Sequence, residues 1–226
     1  MSRGIWTAIA VTAAVAAGTG SAAAKAPSFD PGNFVKKVDN PWFPLRTGTT
    51  FRYRGQKDGK RGTDLLTVTS RTKTILGVKA VVVHDEVILD RGGLSEDTLD
   101  WYAQDRQGNV WYLGEATKEL DRRGRVISRE GSWQAGVNGA EPGIFMPAHP
   151  RVGQTFRQEY YAGHAEDHVQ VVTIRGNRIK TKEWTPLEPG VRDRKIYQRG
   201  IGTVLEETVK GGSERWALVS VSRPRR

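Results

Sequence analysis

From Phe51 onward, apolar and polar residues alternate with a period of two, and this alternation constrains the fold more than any other feature of the sequence. In TFRYRG, Phe51 and Tyr53 fall on one face of an extended strand, and the arginines that follow each of them fall on the other. The pattern returns in short runs that are separated mostly by glycine- or proline-containing turns. No segment suits a helix, so we expect roughly eleven to thirteen short strands. The predicted fold class is all-β, an antiparallel meander curled into a barrel or half-barrel.

Two runs carry more specific expectations. VKAVVVHDEVIL, residues 78–89, is largely apolar on both faces, which is typical of a central strand. Farther along, residues 105–109 separate two aromatic runs, and Gly108 can adopt the positive φ that a tight turn needs. We expect a β-hairpin there, followed by a third strand in RVISRE.

Two other segments interrupt the alternation. Residues 27–48 are rich in Pro, Asn and Asp, and they predict an extended N-terminal arm whose Trp42 and Phe43 pack onto the main body. Residues 131–153 form one long Gly/Pro-rich loop that also holds apolar side chains. Loops of this length are often lids or binding loops, although these side chains could equally plug one end of the sheet.

The cysteine count of 0 rules out disulfides and a cysteine-linked lipid anchor. A folded chain of this kind depends on its own core, and its length suits one domain. We therefore divide the sequence into a signal peptide at residues 1–26, an arm at 27–48 that packs on the domain, and a single antiparallel β domain at 49–226.

The first 26 residues are typical of a secretory signal peptide. Arg3 precedes a stretch dominated by apolar and small residues from Gly4 to Ala17, and small residues allow cleavage after Ala24 or Ala26. This stretch is shorter than the roughly 20 residues that a membrane-spanning helix needs, so we expect no permanent membrane span. The predicted location is secreted or extracytoplasmic, in the cell envelope.

The chain is basic, with a formal net charge of +10 at pH 7. Such an excess favours an anionic cell-wall surface as a partner, although Lys and Arg are interspersed with acids as on an ordinary solvated surface. No recognised nucleic-acid-binding module is present, so we expect no nucleic-acid partner.

Side chains that could support chemistry are present but weakly patterned. His164, Glu166 and His168 alternate and could share one face of a strand, but a turn with solvated histidines explains them better than a zinc site. A hydrolase of polysaccharide would need two carboxyls at a defined separation, which the sequence does not reveal. We expect neither a bound metal nor a cofactor. The candidate carboxyls are those of Asp100, Glu130, Glu159, Glu166 and Asp167.

The aromatic side chains indicate a functional site more strongly than the carboxyls and histidines do. Neighbouring aromatic residues such as Trp101 and Tyr102 must face opposite sides of a strand, so aromatics on both faces suggest a covered or cavity-forming sheet. They could form the core or line a ligand site. The predicted ligand-binding residues are Trp101, Trp111, Trp133, Phe145, Met146 and Tyr160.

Several stretches resemble known sequences. KIYQRGIGTVLEE, residues 195–207, resembles the end of the curved sheet in periplasmic lipoprotein-carrier-like half-barrels. DWYAQDRQGNVWYLGE (100–115), EGSWQAG (130–136) and KTKEWTPLEPG (180–190) are similar to segments of an uncharacterised secreted bacterial β-protein family. The half-barrel resemblance implies an apolar cavity for a lipid or lipoprotein, and the second resemblance implies no particular chemistry.

These observations predict an exported, non-enzymatic β domain that binds a hydrophobic or amphipathic envelope ligand, such as a lipid, beneath the long loop. Two alternatives stay open at this point. One is an extracellular hydrolase of cell-wall polysaccharide that uses paired carboxylates. The other is an envelope protein-interaction module with exposed aromatic side chains and a basic rim.

Overall fold

The structure, a computed structural model, describes residues 28–223, and the predicted signal peptide lies outside them. In these residues the regular structure is one 3-10 turn, Pro31–Asn33, and fifteen strands. The strands are β1 Phe34–Val35, β2 Thr50–Lys57, β3 Lys60–Ile75, β4 Val78–Leu89, β5 Gly93–Asp105, β6 Val110–Leu120, β7 Val126–Ser128, β8 Trp133–Gln134, β9 Gly143–Met146, β10 Thr155–Arg157, β11 His168–Arg175, β12 Arg178–Trp184, β13 Arg192–Gln198, β14 Gly202–Lys210 and β15 Arg215–Ser222.

The strands form one antiparallel sheet, which confirms the predicted all-β meander. Its order is β10-β11-β12-β13-β14-β15-β2-β3-β4-β5-β6-β7. The run at residues 78–89 is strand β4, paired on both sides with β3 and β5 as expected of a central strand. The predicted hairpin is also present: the amide of Asp105 donates to the carbonyl of Asn109 at 3.0 Å, and Gly108 has a φ of 95°.

The long loop contributes the additional strands. Within residues 131–153, β8 and β9 both pair with β6. Strand β7 pairs with β6 only at Glu119 and Leu120, so the rest of that edge of β6 has backbone groups that need partners. The two short strands meet this need, and sequence patterning overlooked them because each has too few residues to show a period.

The sheet is curled but not closed, in agreement with the predicted half-barrel. Near its open seam, the amide of Glu141 donates to the carbonyl of Tyr160 at 2.8 Å, in an isolated bridge between the long loop and the segment after β10. Residues of β2, β3, β13 and β14 line one small cavity together with Phe145 of β9. The face that carries these residues is therefore the inside of the curl, and we call it the inner face.

The arm before β2 lies against this sheet. Trp42 and Phe43 are buried, and the ring of Phe43 lies 4.4 Å from that of Phe145. The side-chain amide of Asn40 donates to the carbonyls of Gly108 and Pro147, at 2.8 and 3.1 Å. One side chain thus joins the arm to the β5–β6 hairpin and to the long loop.

Two glycines make room for a tryptophan on the inner face. A Cβ atom on Gly55 would lie 1.8 Å from the carbonyl oxygen of Arg215 and 2.8 Å from the Trp216 ring, and one on Gly62 would lie 3.3 Å from the same ring. Trp216 is almost fully buried, and its indole N–H donates to Glu214 at 2.7 Å. The indole can cross β2 and β3 only because neither strand carries a side chain there.

We expect Gly55→Ala to lower the free energy of unfolding by about 2–3 kcal/mol, because a backbone oxygen cannot move aside for the new methyl group. Urea unfolding followed by tryptophan fluorescence measures this change. Gly190→Ala is the matched control, since its Cβ would meet nothing within 4 Å and its φ is not positive. The control should change stability by less than about 0.5 kcal/mol, and equal losses in both variants would contradict the close packing at Gly55.

Candidate functional site

The six residues predicted to bind a ligand do not form one cluster. Trp101 lies on the outer face, where the ammonium of Lys73 lies 3.3 Å from the ring centre. Trp111 is covered by the rings of Phe29 and Phe34, at 5.5 and 5.9 Å, and its indole N–H donates to Asp105 at 2.9 Å.

Other members of the set belong to an aromatic cluster on the inner face. The ring of Phe145 lies 5.0 Å from Tyr102, and the ring of Trp133 lies 5.4 Å from Tyr112. The two tyrosine rings stack on each other at 4.8 Å. Trp133 and Phe145 are thus linked through tyrosines that the prediction did not include.

Met146 and Tyr160 complete the set. Met146 is buried in β9 opposite Val110, and the Arg157 guanidinium lies 3.7 Å from the ring centre of Tyr160. The cavity beside Phe145 measures ≈ 20 Å³, which is space for about one water molecule. Ligand binding by the six residues stays a prediction.

Carboxyl side chains share the inner face with these rings, which the sequence analysis largely missed. Opposed residues of antiparallel strands point to the same side, so the register places these carboxyls. Asp64 lies opposite Tyr53, and Asp100 lies opposite Glu115. The five that are almost fully buried here are Asp64, Asp85, Glu96, Asp100 and Glu115.

Burial raises the pKa of several of these groups. Removal from water raises the pKa of Asp64, Asp100 and Glu115, and nearby carboxylates raise each of them further. Asp100 accepts a hydrogen bond from the Tyr112 hydroxyl at 2.7 Å. The carboxyl oxygens of Glu115 have no hydrogen-bond partner within residues 28–223. A neutral, protonated carboxyl is the form that suits this environment.

A buried lysine neutralises another part of the interior. The ammonium of Lys195 lies 2.8 Å from Glu183 and 3.6 Å from Glu206. Burial works against its charge, but these two carboxylates outweigh burial and hold the pKa of Lys195 above its usual value. The interior therefore combines one ion-paired region with carboxyls that favour the neutral state.

The structure limits what these carboxyls can do chemically. Within residues 28–223, no three Asp, Glu, His or Cys side chains are placed to share a metal ion. None of the five buried carboxyls lines the wide groove between the β2–β3, β4–β5 and β6–β7 turns. The sequence singled out Asp100 and Glu159, but it missed Asp64 and Asp85, although both alternate in register with buried apolar residues.

A wide groove lies at one end of the sheet, between three turns. Its volume is ≈ 970 Å³. The β2–β3, β4–β5 and β6–β7 turns, which the strand order brings side by side, form its walls. Its lining residues are Lys57, Asp58, Gly59, Lys60, Arg61, Leu89, Asp90, Arg91, Gly92, Ser95, Glu119, Leu120, Asp121, Arg122 and Ile127.

The groove offers both charged and apolar side chains. Leu89 and Leu120 are partly exposed, and Ile127 is exposed over 65% of its surface. Lys57 differs from the other cations, because its ammonium is paired with the buried Glu96 at 2.5 Å. This pair connects the groove to the buried carboxyls of the inner face.

Comparisons with known proteins assign no family. No protein-family model matches the chain, and no curated protein matches it. Among solved structures, the chain is similar to a Bacteroides fragilis protein that is proposed to be exported and has a YmcC-like fold. The identity is 15%, the match covers 80% of this chain and 99% of that chain, and the TM-score is 0.46. A likeness at this level assigns no function.

In the part of the chain that the structure describes, no helix has the length and apolar character needed to cross a membrane.

Because several buried carboxyls have raised pKa values, we expect the folded state to lose stability as pH rises. Burial raises the pKa of Asp193 to about 6 and that of Glu214 to about 8, above the values near 4 of an unfolded chain. Stability that depends on the neutral forms is complete below the unfolded values and is lost as pH rises through the folded ones. We expect the free energy of unfolding, measured in urea, to fall between pH 5 and pH 8.

Glu115→Gln tests the same explanation at one residue. The amide stays neutral, so the variant should be more stable than the parent at pH 8 and about equal at pH 5. Asp90→Asn is the control of opposite sign, because the hydrogen bond from Arg54 lowers the pKa of Asp90 and its loss should weaken the fold at pH 8. A Glu115→Gln protein that is less stable at both pH values would contradict the neutral form.

Proposed function

We propose that this protein is an exported, non-enzymatic binding domain whose ligand is an amphipathic molecule held in the groove between the three turns. The observation that carries the proposal is a groove of ≈ 970 Å³ in which exposed apolar side chains lie among cations. An amphipathic molecule matches both kinds of side chain at once.

Volume favours this groove over the region beneath the long loop. Ligand sites commonly occupy about 300–1,000 Å³, and the groove lies within that range. The cavity beside Phe145 has space for about one water molecule. The aromatic cluster around Phe145 acts as core that supports the sheet, and the ligand binds at the end of the sheet.

Exposed apolar side chains in the groove provide surface that a bound ligand can remove from water. Ile127 is the most exposed of the large apolar side chains among residues 28–223. Leu89 and Leu120, the last residues of β4 and β6, line the same groove, so an acyl chain can contact aliphatic groups beside two different turns. Covering such groups removes apolar surface from water, which is the main favourable contribution to binding of a chain.

Two of the four carboxyls that line the groove, those of Asp90 and Asp121, support a binding role over hydrolysis. The Asp90 oxygens accept hydrogen bonds from Arg54 at 2.9 and 3.0 Å, and Asp121 pairs with Arg125 at 2.7 Å. A carboxylate held by a guanidinium is a poor proton donor, because the pairing favours its charged form. A hydrolase would need one of its two acids protonated.

The first 26 residues support export, because their pattern is typical of a secretory signal peptide. An exported binding domain meets envelope lipids and other amphiphiles, which have the chemistry that the groove accommodates. When the full chain is expressed in a bacterium, we expect the secreted form to begin at Lys25 or Pro27, as read by intact mass. Recovery of the uncut chain in the cytoplasm alone would contradict export.

Ile127→Ser tests the groove. Because the substitution removes exposed apolar surface, the fold should be preserved while the affinity for single-chain lipids falls about tenfold. Calorimetric titration with palmitoyl lysophospholipids below their micelle-forming concentrations measures the affinity.

Val152→Ser is the matched control, since Val152 is 62% exposed and does not line the groove. It should bind as the parent does. If both serine variants bound lipid like the parent, or if the parent bound none of the lysophospholipids, the proposed function would be wrong.

A further inference from the structure

The groove contains more cations than its acids neutralise. Lys60, Arg61, Arg91 and Arg122 line it, and within residues 28–223 none of these four side chains forms an ion pair. All four are exposed. An anionic ligand can therefore reach them without first breaking a salt bridge within residues 28–223.

Two of the acidic side chains that line the groove form ion pairs with arginines outside it. Asp90 and Asp121 are neutralised by Arg54 and Arg125, which do not line the groove. The charge of Lys57 is balanced by Glu96 in the same way.

Asp58 and Glu119 are the remaining acids of the lining. Even when both are counted against the four cations, an excess of two positive charges remains. Such an excess favours a ligand group that carries two negative charges.

The arginines come from three separate walls of the groove. Arg61 is the second residue of β3, beside the β2–β3 turn, whereas Arg91 lies in the β4–β5 turn and Arg122 in the β6–β7 turn. Each guanidinium presents a planar fork of donors that matches two oxygens of an oxyanion. A carboxylate has only two oxygens to share among them, whereas a phosphate monoester has three terminal oxygens and up to two charges.

We propose that the groove selects amphiphiles whose head group is a phosphate monoester, and that Arg61, Arg91 and Arg122 recognise the phosphate. This inference rests on the proposed function and names the class of its ligand. Leu89, Leu120 and Ile127 contact the chain of the amphiphile, and the arginines hold its head. A zwitterionic head is disfavoured, because its cation would meet a groove that is already positive.

The test compares two lipids with the same chain, palmitoyl lysophosphatidic acid and palmitoyl lysophosphatidylcholine, and adds inorganic phosphate as a third probe. Calorimetric titration of the parent should give an affinity at least about tenfold higher for the phosphate monoester lipid than for the choline lipid. Inorganic phosphate should bind at least about tenfold more weakly than lysophosphatidic acid, because it has no chain to bury. Added salt should weaken binding of the monoester lipid more than that of the choline lipid.

A triple variant, Arg61→Gln, Arg91→Gln and Arg122→Gln, should lose at least about tenfold in affinity for lysophosphatidic acid and keep its affinity for lysophosphatidylcholine. The matched control carries Arg46→Gln, Arg71→Gln and Arg175→Gln, three exposed arginines that do not line the groove. Both triple variants change the net charge equally. A loss confined to the groove variant therefore supports local recognition of the phosphate.

The outcomes separate the two proposals. Equal affinity of the parent for both lipids would overturn the head-group inference and leave the amphiphile site in place. Inorganic phosphate binding as tightly as lysophosphatidic acid would support the arginines as a phosphate site and overturn the amphiphile function. Equal losses in both triple variants would overturn specific recognition, and failure of every probe to bind would overturn both proposals.

Discussion

The fold depends on how the inner face of the curled sheet accommodates carboxyl groups among aromatic rings. Asp64, Asp100 and Glu115 lie in register with apolar neighbours, and burial favours their neutral forms. Lys195 supplies charge compensation where Glu183 and Glu206 meet. The stability of such a core depends on protonation of these carboxyls as well as on packing, because a charged carboxylate removed from water and left unpaired is strongly unfavourable.

The same electrostatic arrangement reaches the groove through one ion pair. Lys57 lines the groove and Glu96 belongs to the inner face, so their salt bridge spans the boundary between the two. This pairing removes Lys57 from the charges available to a ligand and leaves that role to cations of the turns. Trp216 lies against Gly55 and Gly62 on the same strands that form the β2–β3 wall. The packing of Trp216 thus supports the β2–β3 turn, which is one wall of the groove that we propose as the ligand site.

Sequence patterning predicted the local elements well where a period or a turn was visible. The alternation indicated the meander, the doubly apolar run indicated β4, and Gly108 indicated the β5–β6 hairpin. Patterning was weak where a segment is too short for a period, as in β8 and β9. Patterning also gave the wrong burial for acidic residues, since Asp85 in the middle of β4 looks like a solvent-facing residue but is almost fully buried.

By itself, the sequence determined that the chain forms strands, where most of them turn, and that both faces of the β5–β6 hairpin carry large side chains. Those properties follow from local preferences and from the two-residue period of a strand. Only the tertiary structure decided which face became the interior and which turns came together. Arg61, Arg91 and Arg122 are about 30 residues apart along the chain, and they share a groove because every second turn of the meander lies at the same end of the sheet. That convergence arises from strand order and curl, which no local pattern of residues specifies.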